Sequence, residues 1–487
     1  MNVPKYRVLW TWDIGAYWDI STESKVWGCS GKNFRREAFL KDYKRMVDYA
    51  SLHHFNGIVI WGALRAHNDG LNQFKELVKY GREKGVRIMP GVSAFSYGGV
   101  FYDPSTTASL GIDRKFGTHK YSLNTWLTEH PEYASVDENG NPYPFGPMNV
   151  LACPSRPENL QWFKEALGWL YDEFDIDGIQ VEVGDYSVCH CPLCEERRKG
   201  RNIKRDYSVE DMINTYTAAL EVSKQKKKDA WVICETYSGF TYPKEEQIDG
   251  NWQSMPNEDR KMLSAIPDGS ILQWAADKAI GGFATERWGD DLYTPKADNI
   301  LRVHAGSQYS ILSQADWAAE LIWELVSNAR RHNVNGVSIF GEESFVAPPS
   351  EVNYLAFEEA CGLGNENEEL SIEKFYSNTL DPMFGGENMA KTWRNLYVKG
   401  RILMLGERAK KKRLSYQPLE MLTDDPLFLE KTLSYSAEEK IELLEKYFDE
   451  VQEILYSMKD ASVSVKGRWS WLSNDLRNMI YIVSKKV

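Results

Sequence analysis

The stretch PSRPENLQWFKEALGWLYDEFDIDGIQVEVGD, from Pro154 to Asp185, contains both kinds of element from which the fold is built. Its first part, up to Phe174, has apolar residues at helical spacing, with Ser155 placed to cap the helix and Pro157 suited to its first turn. Its second part is a short apolar run introduced by a turn, which is typical of a strand. A helix that leads into such a strand predicts a parallel sheet, because parallel strands need crossover connections.

Eight runs of the second kind occur along the chain, and eight strand-and-helix units close into a (β/α)8 TIM barrel. The runs are RVLWTWD (7–13), GIVIWGAL (57–64), VRIMPGVSAF (86–95), GIQVEVGD (178–185), WVICETYS (231–238), SILQWAAD (270–277), RVHAGSQYS (302–310) and GVSIFGEES (336–344). The seventh has the weakest strand pattern. An open, doubly wound sheet is the alternative, but the segment after the first strand, WTWDIGAYWD, is aromatic and lacks the Gly-rich phosphate loop of that fold.

Two further regions extend beyond the regular barrel pattern. Roughly 80 residues separate the third strand from the fourth, far more than one crossover helix needs, which predicts a folded lid insertion that covers the active site. After the eighth strand the pattern becomes helical, for instance over 371–380, 389–405 and 436–457. We therefore predict a barrel over residues 1–348 and an α-helical C-terminal domain over residues 349–487.

Charge and composition narrow the classes of partner. The chain has 487 residues and a formal net charge of -12, so its average surface would repel nucleic acid and anionic membranes. No apolar run is long enough to span a bilayer, and the first residues, MNVPKYRVLW, lack the pattern of an export signal, which predicts a cytoplasmic protein. The expected partner is a carbohydrate; a homodimer remains open.

Acidic side chains cluster at the predicted carboxyl ends of the strands, where TIM barrels build their sites. They are Asp13, Glu182, Asp185, Glu235, Asp277, Glu342 and Glu343. Paired carboxylates are what cleavage of a glycosidic bond requires. Glu182 and Gln180 alternate with Ile179, Val181 and Val183, which predicts that both polar groups point toward the barrel axis. The ordinary alternative for each carboxylate is a structural hydrogen bond or a helix cap.

Aromatic and histidine side chains occur at the same end. Trp12, Trp61 and Trp274 lie at or just past strand ends, where flat rings suit the faces of sugars, although buried tryptophans also fill cores. His67 and His130 fall on connections that follow strands. Each histidine could act as an acid, bind a sugar hydroxyl or simply organise its loop.

Three cysteines form a C-x-C-x-x-C motif directly after the fourth strand, Cys189, Cys191 and Cys194, and Cys153 is a candidate fourth member. This spacing predicts a structural zinc site. A disulfide or free thiols are the alternatives. The sequence carries no cofactor signature, so catalysis is expected to need none.

Several stretches, taken together, resemble barrel-type glycoside hydrolases and their uncharacterised bacterial relatives. In the barrel they are TWD at strand 1, HPEYASVDENGNP, NVLACPSRPENLQWFKEAL, DGIQVEVGDYSVCHCPLC and GEES at strand 8. In the helical region they are EVNYLAFEEA and ELSIEKFYSNTLDPMFGG, and these two resemble in layout the tails of α-glucuronidase-like and family 20-like glycosidases. In domain plan the chain is similar to the inverting exo-sialidases of glycoside hydrolase family 156. That resemblance implies that Asp13 and His130 carry the chemistry. Sialidases hold the sugar carboxylate with arginines, and here the candidates are Arg65, Arg114 and Arg156.

The sequence therefore predicts an exo-acting glycosidase. The acid/base pair is Asp13 with His130, or Glu182 with Glu343. The expected substrate contacts are Trp12, Trp61, His67, Asp185, Glu235 and Trp274. A non-catalytic carbohydrate-binding barrel and a metal-dependent lyase on the same fold are the alternatives.

Overall fold

The computed structural model describes most of the chain. The described residues are 3–12, 39–64, 70–102, 119–143, 151–183, 188–199, 201, 208–239, 255–275, 293–304, 317–332, 334–340, 347–363, 371–410 and 422–485.

Eight parallel strands close into a barrel in chain order, as the sequence predicts. The last strand pairs with the first, with Tyr6 opposite Gly336 and Trp10 opposite Phe340. The strands are β1 (Tyr6–Trp12), β2 (Gly57–Trp61), β3 (Arg87–Ser93), β4 (Gly178–Glu182), β5 (Trp231–Gly239), β6 (Ile271–Ala275), β7 (Asp298–His304) and β8 (Gly336–Phe340).

The prediction that the seventh strand starts at Arg302 is wrong: β7 begins at Asp298, and residues 305–310 lie outside the described residues. The first residues of β7 are polar, so the sequence pattern does not show where the strand begins. Asp298 accepts a hydrogen bond from the Tyr6 hydroxyl at 2.6 Å, and Asn299 accepts one from the Trp274 indole at 2.8 Å. Both polar side chains are thus satisfied by residues distant in sequence, which local pattern cannot show.

Side chains on the two faces of the strands enter two different cores. Residues that point inward form one apolar cluster, which includes Val8, Trp10, Val59, Trp61 and Met89. Their neighbours along each strand pack outward against the surrounding helices. This alternation follows from the two-residue period of a strand, and it decides which strand residues can reach the axis.

The helices surround the barrel and continue beyond it. They are α1 (Phe39–Leu52), α2 (Gly70–Glu83), α3 (Leu123–Glu129), α4 (Pro157–Phe174), α5 (Pro192–Arg198), α6 (Val209–Lys226), α7 (Asn257–Leu263), α8 (Ala319–Arg331), α9 (Pro348–Ala360), α10 (Ile372–Phe375), α11 (Asp381–Phe384), α12 (Met389–Leu405), α13 (Phe428–Leu433), α14 (Ala437–Ser457) and α15 (Val463–Ser484). Among the described residues, none of these helices has the length and apolar character needed to cross a bilayer.

Helix α4 begins three residues later than the sequence predicts, and Ser155 does not cap it. Pro157 occupies the first turn as expected, but Arg156 is the N-cap residue and makes no side-chain cap. The Ser155 hydroxyl instead contacts the Cys194 sulfur at 2.9 Å. The Ser155 side chain thus makes a tertiary contact in place of the helix cap that the local pattern predicts.

The described part of the insertion is folded. Helix α3 lies within it, and isolated antiparallel bridges join Gly99 to Ser122 and Ala134 to Ala152. It is fixed to the barrel through Asn159 of α4, which accepts a hydrogen bond from the Trp126 indole and donates one to the Tyr133 carbonyl, both at 2.8 Å. This insertion is part of the rim at the carboxyl ends of the strands.

The C-terminal helices contact the barrel through aromatic rings and an ion pair. The rings of Trp317 and Trp393 lie 5.7 Å apart. Arg394 of α12 forms an ion pair with Glu320 of α8. Within the predicted C-terminal region, Arg468 of α15 donates to both carboxylate oxygens of Glu351 in α9, at 2.6 and 2.8 Å. From residue 351 onward, the described residues form helices and no strand, as predicted.

Candidate active site at the carboxyl ends of the strands

A polar network occupies the middle of the barrel interior. The Glu235 carboxylate accepts hydrogen bonds from Gln180 at 3.2 Å, Gln273 at 2.7 Å and Arg302 at 2.9 Å, all to Oε2. Glu235 and Arg302 are 1% and 5% exposed. Burying a carboxylate is costly, and the guanidinium and the two amides compensate that cost. All three donors to this oxygen are protein groups. The expected contact of Glu235 with substrate stays a prediction.

Glu182 lies one layer closer to the mouth of the barrel. It is the last residue of β4 and pairs in register with Ser93 of β3. It follows Gln180 by two residues on the same face, which places it about 6.6 Å further toward the carboxyl end at a rise of about 3.3 Å per residue. Ile179 and Val181 belong to the outer core, so the predicted alternation is confirmed. The side chain of Glu182 is buried.

The backbone that carries Glu182 is held by Tyr216 of α6. The Val183 N–H donates to the Tyr216 hydroxyl at 3.1 Å, and that hydroxyl donates in turn to the Glu235 carbonyl. One buried side chain therefore joins the ends of β4 and β5. The sequence analysis missed this residue, because nothing in the pattern of a helix reveals a hydroxyl that reaches two strand ends.

An aromatic group lines the interior below the mouth on the side of β1 to β3. The Trp10 and Trp61 rings are 5.4 Å apart, Trp61 meets the Tyr102 ring edge-on at 4.4 Å, and Tyr102 lies 5.3 Å from Tyr97. Gly91 of β3 leaves the space that the Trp61 ring fills, because a Cβ there would overlap the indole. The predicted Trp61 is thus part of a larger aromatic cluster, in which Trp10, Trp61 and Tyr102 are buried.

Tyr97 and Tyr102 are held in an uncommon backbone conformation. Both have φ of 45°, in the left-handed region that residues with a side chain seldom adopt. The loop is fixed by hydrogen bonds from the Gly99 N–H to the Ser96 carbonyl and from the Tyr102 N–H to the Gly99 carbonyl. Such strained residues cluster at functional sites. Their position therefore agrees with a ligand-binding role for the mouth.

Trp10 is a member of this group that the prediction of substrate contacts left out. The signal was available in the sequence, since Trp10 precedes the predicted contact Trp12 by two residues, which is the period of a strand.

Trp274 does not join the aromatic group. It belongs to the outer face of β6, where its ring is fully buried and the guanidinium of Arg260 stacks on it at 4.3 Å. Its indole donates to Asn299. The predicted contact with a sugar does not fit this position, because the ring faces the helix layer and not the barrel axis.

His130 lies in the insertion, at the end of α3. Its ring is 4.1 Å from the Trp126 ring and stacks on Tyr133 at 5.3 Å, and its Nδ1 lies 3.6 Å from the Glu132 carboxylate. The imidazole is about one third exposed. The ring is thus oriented by its neighbours and partly open to solvent.

The predicted site residues Asp13, His67, Asp185 and Glu343 lie outside the described residues, and so do the further candidates Arg65, Arg114, Asp277 and Glu342. Trp12 ends β1 in register with Trp61, and its side chain also lies outside the described set.

The four predicted cysteines come together in the rim beside β4. The sulfurs of Cys153, Cys189, Cys191 and Cys194 all lie within 4.8 Å of one another, and all four residues are buried and free of disulfides. Among the described residues this is the group suited to hold a metal ion. Asp211 nearby pairs with Arg197, but burial dominates and raises the pKa of the Asp211 carboxyl to about 6.

No protein-family model and no curated protein matches the chain. Among solved structures it is similar to a noncanonic maltogenic α-amylase from Thermotoga neapolitana, with 13% identity, 76% of this chain and 80% of that chain covered, and a TM-score of 0.42. An α-amylase from Geobacillus thermoleovorans in complex with acarbose has 12% identity over 74% of this chain and 80% of that chain, with a TM-score of 0.45. A β-N-acetylhexosaminidase from Bacteroides fragilis has 12% identity over 77% and 69%, with a TM-score of 0.42. These values assign the chain to no family.

Proposed function

We propose that the protein is a glycoside hydrolase that removes a terminal sugar, with Glu182 as one member of its acid/base pair. The observation that carries the proposal is the position of this carboxyl group, buried at the end of β4 and facing the barrel interior. TIM barrels place catalytic groups at strand ends of this kind. A carboxyl group in such a site can protonate the leaving oxygen of a glycoside or activate the attacking water.

The aromatic group supports a sugar as the ligand. Trp10, Trp61, Tyr102 and Tyr97 form a continuous set of rings that extends from the barrel interior into the loop after β3. Aromatic rings pack against the apolar faces of sugar rings while the hydroxyl groups are left to polar partners. The carboxylate and the rings therefore supply the two kinds of contact that a glycosidase needs.

The position of the insertion supports the proposal that the enzyme acts at the end of a glycan. It is joined to the loop after β3, where the Leu123 N–H donates to the Gly98 carbonyl, and to the segment after β4, where the His190 N–H donates to the Val136 carbonyl. A folded wall on this side of the mouth favours a pocket over an open cleft. We propose exo action on this ground.

The second member of the pair is proposed from the sequence. Glu343 follows β8 and would pair with Glu182, whereas the resemblance to family 156 sialidases pairs Asp13 with His130 and implies inversion. Inverting enzymes separate the two groups by about 6.5–9.5 Å to admit a water molecule, and retaining enzymes by about 5–5.5 Å. The anomer first formed, followed by NMR, distinguishes the two outcomes.

The test is a screen of the purified protein against aryl glycosides, including sialosides, uronides and N-acetylhexosaminides. We expect turnover of at least one class, and a loss of roughly 100- to 10,000-fold in kcat for Glu182→Gln, the range for loss of a general acid or base. Glu138→Gln, at an exposed turn of the insertion, is the matched control and should retain full activity.

Two results would contradict the proposal. Full activity in Glu182→Gln would remove this residue from the acid/base pair. A folded protein that binds glycans without turning over any of them would favour the carbohydrate-binding barrel.

A further inference from the structure

The cysteine cluster brings together two segments that are separate in sequence. Cys153 follows the insertion, whereas Cys189, Cys191 and Cys194 follow β4. The Cys153 sulfur lies 3.4 Å from that of Cys191 and 3.6 Å from that of Cys194. The fold thus assembles four sulfurs at one buried point without bonding them to one another.

The sulfur separations fit one tetrahedral ion. Four thiolates at about 2.3 Å from a zinc ion lie roughly 3.8 Å from each other, a value within the range seen here. A disulfide would require about 2.05 Å between two sulfurs. An iron–sulfur cluster with several irons would hold the thiolates further apart, because they bind different irons. We propose that Cys153, Cys189, Cys191 and Cys194 bind one Zn²⁺ ion as a structural site.

Neighbouring groups are placed to stabilise the thiolates. The Val136 N–H donates to the Cys189 sulfur at 3.5 Å, the Ser155 hydroxyl contacts the Cys194 sulfur at 2.9 Å, and the Arg197 guanidinium lies 4.0 Å from the same sulfur. Hydrogen bonds of this kind orient metal ligands and tune their affinity. The Ser155 contact also explains why this residue does not cap α4.

The charge around the cluster fits a thiolate site. Four thiolates and one Zn²⁺ carry a net charge of about -2, which needs a positive neighbour when buried. Arg198 follows Cys194 by four residues on α5, so both lie on one face of that helix. Its side chain is 1% exposed, and one of its amino groups pairs with Glu195 while Nε and Nη1 have no hydrogen-bond partner. A buried cation of this kind balances the negative site.

The site would fasten the insertion to the strand that carries Glu182. The same two segments already meet through the hydrogen bond from His190 N–H to the Val136 carbonyl and from the Tyr143 hydroxyl to the Val188 carbonyl. Because a structural zinc contributes its binding energy to the folded state, removing it should loosen this part of the rim and leave the closed barrel intact.

The first experiment measures metal content and geometry in the full chain. We expect one zinc per chain in protein prepared with zinc, and the absorption bands of a tetrahedral cobalt thiolate after exchange with Co²⁺. Cys153→Ser should lose both. Cys361→Ala, at a buried cysteine outside the cluster, should retain them. Absence of metal from the wild type, bound iron in place of zinc, or a disulfide among the four cysteines would each overturn the proposal.

The second experiment remains decisive if Cys153→Ser fails to fold, because it uses only the wild type. Hydrogen exchange is compared before and after removal of the metal with a chelator. We expect faster exchange in residues 133–143 and 188–199 and unchanged protection in the barrel strands. Equal protection of those two segments with and without metal would refute the structural role.

Discussion

At the scale of single residues, the interior of the barrel holds two carboxylates in different surroundings. Glu235 accepts hydrogen bonds from an arginine and two glutamines and so completes a buried network. Glu182 follows one layer closer to the carboxyl ends of the strands, opposite Ser93 of β3. Residues of the same type, facing the same interior, thus have different environments, and the buried polar network lies below the candidate site.

Tyr216→Phe tests how that site is positioned. Removing the hydroxyl leaves the Val183 N–H and the Glu235 carbonyl without this shared partner. An unsatisfied buried polar group costs about 1–3 kcal/mol, and we expect a fall of that size in the free energy of unfolding, measured in urea.

Under the proposed function, kcat should also fall about 10- to 100-fold with Tyr216→Phe, because Glu182 loses its support. Tyr121→Phe, in the insertion, is the control and should change neither quantity; its ring contacts His119 and Trp169. A Tyr216→Phe protein with wild-type stability would contradict the assigned bridge.

At the scale of elements, the contact between β2 and β3 depends on a glycine. Gly91 and Trp61 are directly paired across the two strands, and the indole occupies the space above the glycine. A larger residue at this position of β3 would displace the Trp61 ring from the aromatic group in the barrel interior.

Gly91→Ala should therefore destabilise the protein by about 1–3 kcal/mol, the usual cost of overpacking a core. Thermal unfolding and tryptophan fluorescence measure the loss of stability and the displacement of Trp61. Gly467→Ala is the matched control: this residue is exposed in α15 with nothing near its missing Cβ, so the change should be neutral or stabilising by up to about 1 kcal/mol. Equal stability of the two variants would argue against the packing described.

At the scale of the whole molecule, the barrel and the C-terminal helices share one apolar core. Trp393 of α12 packs against Trp317, which precedes α8, and against Phe384. Arg394 adds an ion pair with Glu320 of α8. Contacts of this kind couple the stability of the two regions.

Trp393→Ala should lower the stability of the entire protein. Loss of a buried tryptophan costs about 3–5 kcal/mol, and calorimetry should show a single transition that moves to lower temperature. Tyr481→Ala, at an exposed position of α15, is the control and should move the transition little. Two separate transitions in the variant would show that the barrel and the helical region unfold independently.

Much of the fold could be predicted from the sequence because its signals are local. Strand alternation placed Gln180 and Glu182 on the inner face of β4. The predicted starts of β2, β4, β5 and β8 were correct to the residue, and those of β1, β3 and β6 to within one residue. The start of β7 was misplaced, because its polar residues are satisfied by Tyr6 and Trp274, which are distant in the chain.

The sequence by itself determined the parallel barrel and the helical tail, since each follows from short-range periodicity and from the closure of eight strand-and-helix units, and it predicted polar residues at one end of the barrel. Only the tertiary structure decided which side chains share that end. It turned Trp274 outward, joined Trp10 to Trp61, placed Tyr216 under two strand ends and gathered four cysteines from two segments. The physical reason is that burial, hydrogen-bond partners and sulfur-to-sulfur distances depend on contacts between residues far apart in the chain, which no local pattern encodes.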